Sequence, residues 1–173
     1  MRMFYPDRRE KSAYTIDYAD LYRKGYRGVI FDIDNTLVPH GAPATKEAAA
    51  FFASLRETGF STCLLSNNQK PRVAPFADAV GSIYIENAHK PSVKNYQEAC
   101  RRMGIKEEQA VFVGDQLFTD VYGAKRTGLY NILTEPIDPK EEIQIVLKRY
   151  LEHIVLFFYE RDLARGRINE KNS

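Results

Sequence analysis

Hydrophobic positions in this chain fall into two alternating kinds of segment. Short, largely apolar runs end in polar or glycine-bearing stretches: Val29–Phe31, Phe60–Leu65, Ser82–Ile85, Ala110–Val113 and Leu129–Leu133. Runs of that length bounded by turn residues suit strands buried on both faces. Between them, apolar residues recur at helical spacing. Ala48, Phe51, Phe52 and Leu55 share one face, with Thr45 placed as an N-cap and Gly59 as a stop. Pro71 suits the first turn of a helix reaching about Ala79. Val93, Tyr96, Ala99, Cys100 and Met103 make a third stripe closed by Gly104, and a further helix runs to about Arg126 before Gly128. Strands alternating with helices predict an α/β fold, a parallel sheet covered on both faces. No repeat, low-complexity tract or linker divides the chain, so one domain over residues 1–173 is expected.

The two ends are less regular. Residues 1–12 read as an irregular arm, in which Arg8, Arg9 and Lys11 could meet phosphate or lipid, although a solvated arm is the simpler account. Ile16, Ala19, Leu21 and Tyr22 predict a short helix starting near Asp17. Residues 139–164 predict one long helix with an apolar stripe of Ile143, Val146, Leu147, Tyr150, Leu151, Ile154, Phe157 and Phe158. Its run Ile154–Tyr159 is apolar on every side, more than docking on a sheet requires. Core packing is the plainer explanation; a homodimer contact or a membrane-surface patch are the alternatives. Residues 165–173 form a polar tail.

Composition narrows the class. The 173 residues suffice for a real core, and a net charge of +2 gives no basis for nucleic-acid binding through charge alone. Cys63 and Cys100 lack metal or redox spacing and read as buried thiols of a reducing compartment. The first residues show no apolar leader, and no run approaches the roughly 20 residues that span a bilayer. A cytoplasmic protein is expected, with peripheral membrane contact left open.

The chemistry concentrates after the strands. Val29-Ile30-Phe31 runs into Asp32-Ile33-Asp34-Asn35-Thr36, and alternation would put Asp32 and Asp34 on one side. Two close carboxylates repel unless a divalent cation or a shared proton compensates. Three more polar clusters follow other strands: Ser66-Asn67, Lys90, and Asp115 with Asp120. Ligands of open parallel sheets bind at the carboxyl ends of the strands, where these clusters converge. Phosphoryl transfer explains the set. Asp32 is the candidate nucleophile, and Asp34 the acid for the leaving alcohol and then the base for water. Mg²⁺ would be held by Asp32, Asp115 and the main-chain carbonyl of Asp34. Ser66, Asn67 and Thr36 are candidate phosphate contacts, Lys90 balances transition-state charge, and Asp120 orients Lys90 or a metal-bound water. No histidine pair has zinc-ligand spacing, and no Gly-Lys-Ser/Thr loop is present.

These motifs, in this order, resemble the haloacid dehalogenase-like phosphatase superfamily, over most of Gly28 to Pro136. Phe31–Val38, Ser66-Asn67-Asn68 and Val113–Asp120 are similar more narrowly to its subfamily IIIA, the YqeG branch. The resemblance implies a three-layer Rossmann-like sheet in strand order 5-4-1-2-3, an aspartyl-phosphate intermediate and Mg²⁺. The intervals between motifs have no room for a large cap domain, so an open site is expected. The branch is similar to mitochondrial phosphatidylglycerophosphate phosphatases, which implies a lipid phosphate ester as one substrate. Soluble sugar phosphates, nucleotides or phosphoproteins are the rival substrates. A binding or scaffold protein that retains the site is the rival from outside enzymology.

Overall fold

The computed structural model describes residues 2–138 and 143–169. A short strand, β1 (Arg8–Glu10), precedes helix α1 (Tyr18–Arg23), whose N-cap Asp17 accepts from the Asp20 amide. Then follow β2 (Gly28–Phe31), α2 (Lys46–Thr58), β3 (Ser61–Leu65), α3 (Lys70–Val80), β4 (Ile83–Ile85) and α4 (Val93–Met103). β5 (Ala110–Gly114), α5 (Tyr122–Thr127), β6 (Tyr130–Thr134) and α6 (Ile143–Ala164) complete the order. The sequence signals at α2 act as their chemistry requires. Thr45 accepts from the Ala48 amide, and Gly59 takes φ 106°, which a side chain would strain.

The strands form one parallel sheet in the order β1-β6-β5-β2-β3-β4. The five strands β2 to β6 stand in the expected 5-4-1-2-3 arrangement. The sixth corrects the expected irregular arm: Arg8 lies opposite Ile132 and Glu10 opposite Thr134 on the edge of the sheet. Three consecutive charged residues carry no alternation, so the strand is invisible to hydrophobic patterning. Backbone pairing makes it, helped by the buried Asp7 and Asn131 beside it, which exchange hydrogen bonds. Charged side chains also suit an edge, where they discourage further pairing.

Alternation along the inner strands divides the core in two. Val29, Phe31 and Ile33 face Phe52, Leu55, Val73 and Phe76, while Ile30, Cys63, Leu65 and Phe112 face Tyr96, Ala99, Cys100 and Ala124. Both cysteines are buried and free, as expected. Because every pairing is parallel, Asp32, Ser66 and Asp115 all emerge at one end of the sheet. No inserted domain follows β2 or β3 among the described residues.

Helix α6 reverses the sequence expectation. Core packing, the plainer of the three accounts of its stripe, does not hold for Tyr150, Leu151, Ile154 and Phe157, which face outward, with Tyr150 and Phe157 68% and 64% exposed, while Phe158 is half-buried. The inward face carries Arg149, Glu152, Leu156, Tyr159 and Asp162. The expected helix start over 139–142, and the side chains of Ile143, Val146 and Leu147, lie outside the described residues. No helix among the described residues is long and apolar enough to cross a membrane.

Candidate active site

The first motif is an extension of β2 that turns sharply. The Asp32 amide still donates to Val113, continuing the β2–β5 ladder by one residue, at 3.0 Å. The Ile33 carbonyl then accepts from the Thr36 and Leu37 amides, and Asn35, at φ 63°, donates to Val38 at 2.7 Å. Asparagine tolerates that left-handed conformation better than most side chains. Ile33 is buried in the core, so Asp32 faces the other way.

The turn separates the two aspartates that alternation would have kept together. Asp34 accepts from the Gly41 amide at 2.7 Å, from Asn68 at 2.7 Å and from the Arg72 guanidinium at 2.9 Å. Its carboxylate therefore stands apart from the acidic cluster, beside the start of α3. Instead, Asp32, Asp115 and Asp120 each bring a carboxylate oxygen within 4.8 Å of the others. All three are buried.

Several devices hold this cluster. The Lys90 ammonium lies 2.5 Å from Asp32 and 2.8 Å from Asp120, above the Phe112 ring. Thr36 Oγ1 sits between Asp32 and Asp115, 3.4 and 3.3 Å away. Asp120 arrives on a π-helical turn, Leu117–Val121, a geometry that often re-aims a functional side chain. A Cβ on Gly114 would come within 2.5 Å of an Asp120 oxygen, so only glycine lets that carboxylate lie against β5. Asn67 accepts from the Lys90 amide at 2.7 Å and so braces the lysine loop instead of facing the carboxylates. Ser66 is buried and accepts from the Asn68 amide at 3.1 Å.

Burial sets the electrostatics. It raises the Asp32 carboxyl to about 6, against the pull of the Lys90 ammonium and with the repulsion of Asp120. It lifts Asp115 well above the usual carboxylate range, and Asp32 and Asp120 push the same way. Burial disfavours the charge on Lys90, but Asp120 and Asp32 more than offset this and raise its pKa. Three carboxylates thus face two cations, Lys90 and Arg149. The donors are hard oxygens, which suit a small divalent cation and offset the remaining negative charge. The residues present fit such an ion.

Arg149 and Glu152 were not found by sequence reasoning. Arg149 donates to both the side chain and the main-chain carbonyl of Asp115. It also meets Glu152 at 3.0 Å, and Glu152 accepts from the Leu117 amide at 2.8 Å. The available signal was a pair of ionic residues three apart on a helix otherwise read by its apolar stripe.

A family model described as haloacid dehalogenase-like hydrolase matches residues 41–128. The protein named "Probable phosphatase YqeG" from Bacillus subtilis is 34% identical over 161 residues, spanning 92% of this chain and 94% of that one. The chain is a haloacid dehalogenase-like hydrolase of the YqeG-like phosphatase branch. This hydrolase is also 29% identical over 161 residues to "Phosphatidylglycerophosphate phosphatase 1, chloroplastic/mitochondrial" of Arabidopsis thaliana, covering 87% of this chain but 46% of that longer protein. A crystal structure of an uncharacterized protein from Corynebacterium glutamicum superimposes with a TM-score of 0.53 at 23% identity, over 66% of this hydrolase and 88% of that chain. At that identity the likeness concerns the fold alone.

Proposed function

We propose that this hydrolase cleaves phosphomonoesters through a phosphoryl-Asp32 intermediate, with magnesium as its resident cation. The observation that carries the reading is Asp32 itself. It is a buried carboxylate at a strand end, held between an ammonium and two further carboxylates. Asp32, Asp115 and the main-chain carbonyl of Asp34 would hold the ion, with Asp120 beside them. When bound, it supplies the positive charge that lets a carboxylate approach a phosphate dianion.

Each protein group then has a task. Asp32 attacks phosphorus, and the bond from phosphorus to the alcohol oxygen breaks. Asp34 gives its proton to the departing alkoxide. It next takes a proton from water, whose oxygen attacks the phosphoryl group, releasing inorganic phosphate and restoring Asp32. Lys90 stays charged and offsets negative charge as it gathers on the phosphoryl oxygens. Ser66 donates to one of those oxygens, and Thr36 keeps Asp32 and Asp115 aligned. Asn67 positions the Lys90 loop, and Arg72 with Asn68 orients Asp34.

The substrate we favour is an amphiphilic ester, phosphatidylglycerophosphate. The name of the Arabidopsis relative supports it, as does the lack of an inserted domain after β2 or β3 among the described residues. A cleft of about 620 Å³ adjoins Asp115, and Leu117, Leu133, Leu156 and Phe157 give it apolar walls. The outward apolar face of α6 suits contact with a bilayer surface, or with a second copy of the chain.

Replacing Asp32 by Asn should lower turnover of an aryl phosphate by more than about a thousandfold without unfolding the protein. Mass spectrometry of acid-quenched wild type should find one added phosphoryl group on the peptide carrying Asp32. Full activity in the Asn variant would refute the nucleophile. Phosphate release from phosphatidylglycerophosphate in mixed micelles no faster than from soluble esters would refute the lipid substrate while leaving the phosphatase reading intact.

A further inference from the structure

We propose that Arg149 and Glu152 of α6 are positioning residues for the cation site: a clamp that fixes Asp115 and the Asp120 turn from outside the sheet. The inference rests on the magnesium reading above and extends it to a helix beyond residues 41–128, the span of the family match.

The two oxygens of Asp115 have different surroundings. Oδ1 faces Thr36, which also reaches Asp32, and Oδ2 receives the Arg149 guanidinium. One oxygen is thereby turned toward the other carboxylates and the second is kept away. Arg149 also donates to the Asp115 main-chain carbonyl, so it grips the residue at both ends. Rotation of the carboxylate would break the contacts to Thr36 and Arg149 together. Partners one layer behind a metal ligand act in this way, by fixing which lone pair faces the ion.

Glu152 extends the grip to the second acidic segment. Its Oε1 accepts from the amide of Leu117, the first residue of the π-helical turn, and its Oε2 meets Arg149. The adjoining Gln116 amide donates to Asp120 at 3.1 Å. One ion pair on one face of α6 thus braces the backbone on both sides of Gln116. The far end of the helix is fastened independently. Tyr5 donates to Asp162 at 3.1 Å, Arg9 pairs with Glu160 at 2.6 Å, and the Tyr5 and Tyr159 rings meet at 5.3 Å.

A guanidinium beside a metal ligand could equally compete with the ion. The two roles differ in sign. A competitor, once removed, leaves a more negative site that binds Mg²⁺ more tightly. A positioning residue, once removed, leaves a site that binds it more weakly.

The test is calorimetric titration of Mg²⁺ into full-length, metal-stripped protein. Arg149→Gln should raise Kd by about tenfold or more. Arg149→Lys should fall between, since an ammonium restores charge but not two-pronged contact with the side chain and carbonyl of one residue. Lys148→Gln, which removes an exposed charge from the same helix, should leave Kd unchanged. Equal or tighter binding by Arg149→Gln would overturn the clamp. If that variant fails to fold by circular dichroism, Arg149→Lys decides on the same criterion, because Kd equal to wild type overturns it. An equal weakening in Lys148→Gln would also overturn it, by showing that the loss does not come from the Arg149 contacts with Asp115. Absence of saturable binding in the wild type would sink the magnesium reading and the clamp together, whereas normal wild-type binding with an unaffected Arg149→Gln sinks the clamp alone.

Discussion

The end of β2 and the helix α6 treat hydrophobicity in opposite ways. At β2 the apolar residues go inward and deliver polar ones to one end of the sheet. Along α6 Arg149, Glu152 and Asp162 turn inward, and Tyr150, Leu151, Ile154 and Phe157 turn out. The difference lies in the partners each place offers. A buried ionic group is tolerated when its hydrogen bonds are met. Arg149 finds Asp115, and Glu152 finds both Arg149 and the Leu117 amide. An apolar stripe on α6 therefore identifies a helix without saying which face is inside.

The contrast can be tested by substitution, beginning with the sheet. Lys90→Met removes the cation between Asp32 and Asp120 and leaves two buried carboxylates unpaired. Breaking such a pair costs about 3–5 kcal/mol, which urea unfolding of the metal-free protein should show. On α6, Glu152→Ala leaves the Leu117 amide and the Arg149 guanidinium short of a partner. A loss of about 1–3 kcal/mol in the same assay would confirm that this inward face is polar by design of its contacts. No loss would mean that α6 holds to the sheet by other groups.

A third measurement uses pH. Burial raises the Asp32 carboxyl to about 6 from 3.8, so between those values the folded chain keeps a proton that the unfolded chain has released. Its contribution to stability therefore falls as pH rises through that window. Asn at this position cannot ionise. The metal-free Asp32→Asn variant should gain stability relative to wild type from pH 4 to pH 6, and a constant difference would contradict the burial argument. The smallest effect is expected outside. Phe157→Ser should change stability by less than about 0.5 kcal/mol, since the ring is exposed. The same change should weaken sedimentation with anionic lipid vesicles if α6 meets a bilayer.

What could be read from the chain follows the same division. The strands β2 to β6 and the convergence of Asp32, Ser66, Lys90, Asp115 and Asp120 at one sheet end rest on local runs and on the geometry of parallel sheets, whereas the strand order came only with the resemblance to the haloacid dehalogenase-like family. Buried strands leave dense local signals. β1 left none, because Arg8, Arg9 and Glu10 are held by main-chain pairing with β6, whose partner residues lie 124 positions away. The turn that parts Asp34 from Asp32 depends on Asn35, and strand alternation does not extend through a left-handed residue. Arg149 and Glu152 were illegible for a further reason: their partners are distant in the chain, and charge on a helix ordinarily signifies solvent.

The contacts of Tyr5 and Arg9 with α6 impose an order of assembly. Those residues are synthesised early, but Asp162 and Glu160 emerge more than 150 positions later. A nascent chain can stack its inner strands during elongation, yet the buttress behind Asp115 is absent until α6 has left the ribosome. The contacts that hold Asp115 should then form only once α6 has emerged, after β2 to β6 have condensed.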